Sequence, residues 1–474
     1  MDKSKEFLKN TIVIFIGKFS TQFVALLLLP IFTYYLTASD YGMVDLIQTY
    51  IMLFVPLLTL RLDSVAFRFL IDTRSDKEAE KKANTNIMVC LAAQCIVSLV
   101  ITGILAIFLN FQYFILAIFS TVAMMISSVL LQAVRGMGNN PVYSKASIIA
   151  AVSTLVVNLV LIIALKWGAD SILIASIVAN LLCSIYIFMK NKIYSKVKLE
   201  LLDKKLIKEM LAYSLPMVPN SFSWWLVNVS NRTIIVWLIN TTANGIYAVS
   251  CKFSSIINSI FAIINMSWQE TASVHINDKD ASEFFSKTIN YILGISISVS
   301  IFLIAILPFA FSILIGDEFA EAYQYIPILL VSDIFNILIG LIGGIYVAKK
   351  MTKEIAKTTF LSGIIGLVLN LILVKRLGIY AIAISTLIAY GVVAIHRYID
   401  VQKYIKIKIS GAMVLFFGIG ILVTIPLYYY NQFWTNCASI MVTIILIMVF
   451  NRTLIKNGYN MAIGGVKGLI RKPE

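Results

Sequence analysis

Residues Val156 to Ala179 read VVNLVLIIALKWGADSILIASIVA, and residues Val368 to Ala389 read VLNLILVKRLGIYAIAISTLIA. Asn158 aligns with Asn370 and, after a two-residue gap, Gly168 with Gly378. Each stretch is two apolar runs joined by a short loop at the glycine, which reads as two spans and a tight connection. A weaker pair, Tyr41-Gly42 and Asn244-Gly245, lies in the first hairpin loop of each half. An even number of spans separates the equivalent helices, so the chain re-enters from the same side, and the halves are parallel repeats about an axis along the membrane normal.

The chain has 474 residues, 59% hydrophobic and 13% charged, whereas an ordinary soluble domain carries roughly 25% charged residues. About fourteen apolar stretches approach the roughly 20 residues that cross hydrocarbon as a helix. They run near 11–35, 44–70, 85–109, 113–134, 147–166, 170–190, 214–239, 243–270, 286–315, 324–348, 355–374, 378–396, 411–430 and 435–451. The expected fold is an all-α polytopic membrane protein with two parallel-repeat six-helix bundles and two appended C-terminal helices. The expected boundaries are 1–190 for the first bundle, 191–213 for a linker, 214–398 for the second bundle and 399–474 for the last two helices and tail. The first stretch is too long for a signal-peptide core and is read as a retained span. In the linker, LELLDKKLIKEML places Leu199, Leu202, Leu206 and Met210 at helical spacing. That pattern predicts an amphipathic helix lying along the inner surface.

The formal charge is +15, but its distribution argues against nucleic acid as a partner. Basic residues crowd into one set of alternate loops and both termini, while the opposite loops hold only Lys166, Lys375 and Arg376. By the positive-inside rule both termini are expected in the cytoplasm.

After this assignment Lys18, Arg61, Arg68, Arg232 and Lys252 remain within the apolar stretches. A basic residue at the bilayer centre costs roughly 2.5 to 3.5 kcal/mol on an insertion scale, so these side chains must face water, acids or a shared cavity. All five fall in the first hairpin of one half or the other, as expected if they line a common lumen. Asp45, Asp63 and Asp333, with Glu270 at a span end, are the candidate counter-charges. Surplus positive charge in a wet cavity concentrates an anionic substrate, and the arginine fork suits phosphate. Against this stand blander roles: Lys18 and Arg68 are close enough to the inner headgroups to snorkel, and Arg61 could pair with Asp63. Trp224 and Trp225, beside Asn228 and Asn231, are candidates for contact with sugar or the cavity, or for simple packing. Asp63 and Asp333 are the candidates for ion coupling.

Several chemistries lack their residues. There is no GxxxxGK[ST] loop and no HExxH or paired-His pattern, so neither ATP hydrolysis nor a metal centre is indicated, and no cofactor is expected. The five cysteines show no CxxC spacing and read as small apolar packing residues. The string GDEF at Gly316 to Phe319 sits in a short loop with no cyclase domain around it, so it receives no catalytic role. Outer loops such as 37–42, 110–112 and 240–242 are too short for the outer domains common in membrane polysaccharide polymerases and transferases. A non-enzymatic role is therefore expected.

LLPIFTYYLTASDYGMVDL (Leu28 to Leu46), RLDSVAFRFL (Arg61 to Leu70), SLPMVPNSFSWWLVNVSNRTII (Ser214 to Ile235), NGIYAVSCKFSSI (Asn244 to Ile256), IGDEFAEAYQYIPILL (Ile315 to Leu330) and YVAKKMTKE (Tyr346 to Glu354) occur in this order. Together they resemble the Wzx-type oligosaccharide flippases. These form the polysaccharide-export branch of the superfamily that includes multidrug/cation antiporters and the flippase MurJ. The resemblance spans nearly the whole chain. It implies two six-helix bundles around a cationic cavity in the bacterial inner membrane. It also implies transport of undecaprenyl-diphosphate-linked oligosaccharide, membrane lipid as a second partner, and a pathway shared with a polysaccharide polymerase and glycosyltransferases. The family pattern places Asp before the span-7 arginine; Asn231 stands there in this chain, removing a local counter-charge. Multidrug/cation antiport is the rival transport reading, poorly matched to a positive lumen.

Overall fold

The computed structural model describes residues 20–108, 113–219 and 230–452. Among these, twelve helices are long and apolar enough to cross a membrane, and no strand occurs. The chain is a multi-pass membrane protein. A shorter apolar helix, Ser20–Tyr35, lies at the start of the described residues.

The helices begin and stop where local chemistry dictates. Thr37 caps Ala38–Leu58 by accepting from the Asp40 amide at 3.1 Å, and Asp40 complements the positive end of the helix dipole. Ser410 caps Gly411–Tyr430, which ends on Asn431 in the left-handed conformation. Gln432 and Thr435 form a reciprocal box at the head of Phe433–Phe450.

The chain divides into two compact units, Met1–Ala248 with Asp317–Phe319, and Val249–Gly316 with Ala320–Glu474. In the first, Asp170–Lys190 packs against both Phe114–Gly136 and the helix Asn140–Asn158. In the second, Ile379–Val401 packs against both Ile326–Ala348 and Thr352–Leu377. These are the helices containing the repeated sequences. Asn158 and Asn370 are both buried, and Gly168 and Gly378 both take positive φ, at +70° and +56°. Glycine adopts that conformation without a Cβ penalty, which explains why the repeat retains it at the turn. Gly411–Tyr430 and Phe433–Phe450 pack on each other and on Ala281–Leu314 in the second unit.

Two local readings change. The stretch 44–70 is not one helix: Ala38–Leu58 ends, Leu60 and Arg61 adopt φ of 47° and 61°, and Leu62–Asp72 begins. At the break the Arg61 amide reaches back to the Pro56 carbonyl. The linker helix is also shorter than its apolar spacing suggests. Leu199–Leu201 is a 3₁₀ turn, and Asp203 starts Lys204–Ser214 by accepting from the amides of Lys205 and Leu206. Met210 is buried, whereas Leu199 stays exposed.

The linker is held by the head of Lys77–Phe108. Asn86 donates to the Leu201 carbonyl and accepts from the Asp203 amide, at 3.1 and 2.9 Å. Thr85 accepts from the Lys198 amide at 3.0 Å, while Lys82–Asp203 and Lys196–Glu80 are ion pairs of 2.6 and 2.7 Å. The Lys82 ammonium, with the two capping amides behind it, draws the Asp203 pKa below its ordinary value.

Candidate functional site

The embedded cations fall into two groups. In the first unit, Arg232 stands on Ser230–Leu238 and reaches Asp45 on Ala38–Leu58, Nε to Oδ2, at 2.5 Å. The two side chains are 19% and 9% exposed, so this is a largely desolvated pair. The Tyr247 ring lies 6.0 Å from the guanidinium carbon, and Tyr247 Oη accepts from Asn231 Nδ2 at 3.3 Å. Tyr50 and Thr233 join the same two helices through their hydroxyls at 3.1 Å. Asn231 therefore orients the aromatic neighbour, and Asp45 supplies the counter-charge that position 231 does not.

Arg61 occupies the helix break itself. Its Nη2 donates to Ser64 at 2.7 Å, and its Nε lies 3.2 Å from Asp63 Oδ1. Gln94 donates to the Thr59 carbonyl at 3.0 Å, satisfying one acceptor that the break exposes. Arg68 pairs with Asp72 one turn on, at 2.8 Å, and both side chains are more than half exposed. An exposed pair of this kind contributes little to stability, so Arg68 is free to exchange partners. Arg135 lies 4.6 Å above the Phe67 ring, and Arg74 donates to the carbonyls of Gly136 and Arg135 at 2.6 and 3.1 Å. This end of the unit thus carries several guanidinium groups.

Lys252 belongs to the second unit and is half-buried on Thr241–His275. Ser254 and Asn258 on the same helix face Asp333 of Ile326–Ala348. Ser254 Oγ donates to Oδ2 at 2.5 Å, Asn258 Nδ2 to Oδ1 at 2.8 Å, and Asn336 donates to Asn258 at 3.2 Å. Asp333 is 3% exposed, and both donors are neutral. Lys18, Trp224, Trp225 and Asn228 lie outside the described residues.

One buried cation is absent from the sequence-based set. The notional span 378–396 ends just before Arg397, yet the helix runs Ile379–Val401 and Arg397 is 2% exposed. It donates to Thr358, Thr359 and the carbonyls of Ile339 and Ile355, at 2.6 to 3.2 Å. A Cβ on Gly343 would come within 3.2 Å of its Nη1. Tyr346, 5.9 Å below the guanidinium, donates to Asp400 at 2.8 Å. The signal was the apolar phase of Val393 and Ala394, which Val401 continues one turn past the arginine.

The described residues form an all-α membrane fold. It resembles a lipid II flippase MurJ structure in an inward closed conformation, with TM-score 0.70 and 15% identity over 94% of this chain and 100% of that one. An inward-facing multidrug resistance MATE family transporter of the MOP superfamily gives 0.68 and 13% over 82% and 97%. An outward-facing one gives 0.57 and 12% over 84% and 94%. No curated protein matches the chain in sequence. Residues 7–268, more than half of the chain, match the family described as "Polysaccharide biosynthesis protein". The chain belongs to that family.

Proposed function

We propose that this protein is a flippase that moves undecaprenyl-diphosphate-linked oligosaccharide from the cytoplasmic to the outer leaflet of the bacterial inner membrane. The product feeds surface polysaccharide synthesis by a polymerase and glycosyltransferases of the same pathway. The observation that carries this reading is the set of arginines placed within or at the ends of apolar helices in a member of the polysaccharide biosynthesis family. Arg232, Arg61 and Arg68 rest on Asp45, Asp63 and Asp72. A diphosphate offers each guanidinium a more highly charged, bidentate acceptor. With Lys252, and with Lys18 from the sequence reading, these groups receive the headgroup while the lipid tail stays in the bilayer. Trp224, Trp225, Asn228 and Asn231 are assigned to the sugars. Alternating access between a bundle at 1–190 and one at 214–398, joined by 191–213, carries the headgroup across; residues 399–474 supply the two additional helices. Both termini face the cytoplasm.

Asp333 is assigned to ion coupling. A buried carboxylate with only neutral donors is stable as the acid or around a monovalent cation, so its occupancy can follow an ion gradient. Asp63, paired with Arg61, is the second coupling candidate.

The test is deletion in a strain with no competing flippase, followed by leaflet-resolved detection of lipid-linked oligosaccharide. Accumulation on the cytoplasmic side supports the proposal; unchanged delivery to the outer leaflet refutes it.

A further inference from the structure

The residue pairs matched by the sequence repeat, Tyr41-Gly42 and Asn244-Gly245, meet in space. Asn244 Nδ2 donates to the Gly42 carbonyl at 2.6 Å, and the hydroxyls of Ser39 and Thr241 are 2.7 Å apart. The backbones approach so closely that a Cβ on Gly42 would strike the Thr241 carbonyl oxygen, and one on Gly245 the Ala38 carbonyl oxygen. Asp317–Phe319, at the start of a 3₁₀ helix, adds two contacts to the head of Ala38–Leu58. Glu318 accepts the Ala38 amide at 2.9 Å, and the buried Phe319 meets Tyr41 edge-on with centroids 5.8 Å apart. The Ala38 amide is among the first donors of its helix and has no partner within it, so a carboxylate there also matches the dipole. Two turns further along lies the Arg232–Asp45 pair.

We propose that these contacts form the outer latch of the transporter and that an anionic substrate releases it by taking Arg232 from Asp45. This rests on the flippase reading above. The links at the tip are neutral or exposed, and each contributes modestly in net terms. The Arg232–Asp45 bond is charge-assisted and so roughly twice as strong as a neutral one. When a diphosphate captures the guanidinium, Asp45 is left as an uncompensated carboxylate in a site only 9% exposed. That state is costly until water reaches the carboxylate, and water enters when the tip parts. The empty protein stays shut, and the loaded one opens toward the leaflet that receives the product. A ligand shifts such an equilibrium only through its different affinity for the two states, and here Asp45 supplies that difference.

The 2.7 Å separation of Ser39 and Thr241 makes this testable by disulfide trapping. Full-length S39C/T241C, with the five native cysteines replaced, is placed in vesicles containing undecaprenyl diphosphate or undecaprenol and oxidised. The expected result is rapid cross-linking with undecaprenol and cross-linking slowed roughly fivefold or more by the diphosphate, within the range of measured couplings. D45N is expected to cross-link slowly with either lipid, and D45E to restore the difference. Equal rates with both lipids in the Asp45 protein, or rapid cross-linking of D45N, overturn the latch. Leaflet-resolved transport by the unaltered protein is scored separately: transport without a lipid-dependent cross-linking rate overturns the latch alone, and no transport overturns the flippase reading.

Discussion

Arg232 donates to Asp45 at 2.5 Å in a pair that is largely removed from solvent, joining a helix early in the chain to one 187 residues later. Removing one partner of a desolvated pair typically costs about 3 to 5 kcal/mol, much of it from the charge left behind. Asp45→Asn should therefore lower thermal stability by about that amount, and Asp45→Asn combined with Arg232→Gln should recover most of it. Thermal unfolding of the three variants in detergent checks this.

Arg397 is held by five hydrogen bonds with no carboxylate among the acceptors. Lysine lacks the planar fork that reaches Thr358, Ile339 and Ile355 together. Arg397→Lys should lose about 2 to 4 kcal/mol of stability, since it leaves buried acceptors unpaired. Its export defect should follow protein abundance, as measured by quantitative immunoblotting beside the transport assay.

Leu60 carries φ of 47° in the break between Ala38–Leu58 and Leu62–Asp72. A left-handed L-residue costs roughly 1 to 2 kcal/mol. Leu60→Gly should melt at a higher temperature than Leu60→Val, β-branching being poorly tolerated at this φ. The difference between the two, read by unfolding, should be about 1 to 3 kcal/mol.

Asp333→Asn keeps the shape and an acceptor for Ser254 while removing the buried charge. Stability should change by less than about 1.5 kcal/mol, a typical net hydrogen bond, while transport should lose its dependence on the imposed ion gradient. Transport in vesicles with and without that gradient separates the two effects.

The Asp203 pKa is depressed by Lys82 and the capping amides, so its contribution to docking the linker is present above the unfolded value of about 3.9 and is lost as pH falls through the lower folded value. Limited proteolysis of 191–203 should be slow at pH 6 and rise below about pH 4. In Asp203→Asn, cleavage should already be faster at pH 6.

The all-α membrane fold was legible because apolar length is a local property of the sequence. Helix ends were less legible: Asp203 as a cap and the double left-handed turn at Leu60 and Arg61 depend on side-chain and backbone geometry that apolar spacing does not encode. Partner choice was hidden as well. Asp45 was visible as a nearby acid, but its union with Arg232 depends on a contact between distant helices. Arg397 was missed because a hydropathy boundary drawn at the first charge cuts off the last helical turn. The pairing of Tyr41-Gly42 with Asn244-Gly245 appeared first as similarity of sequence; the structure adds direct contact through Asn244 and Gly42.

Purified protein in liposomes carrying undecaprenyl-diphosphate-linked oligosaccharide on one leaflet gives the most direct measurement, with glycan exposure on the other leaflet followed by a glycosidase that cannot cross. The account predicts transfer by the unaltered protein and its loss in Arg232→Ala at equal folded content. Transfer no faster than in protein-free liposomes, or equal transfer by Arg232→Ala, would contradict it.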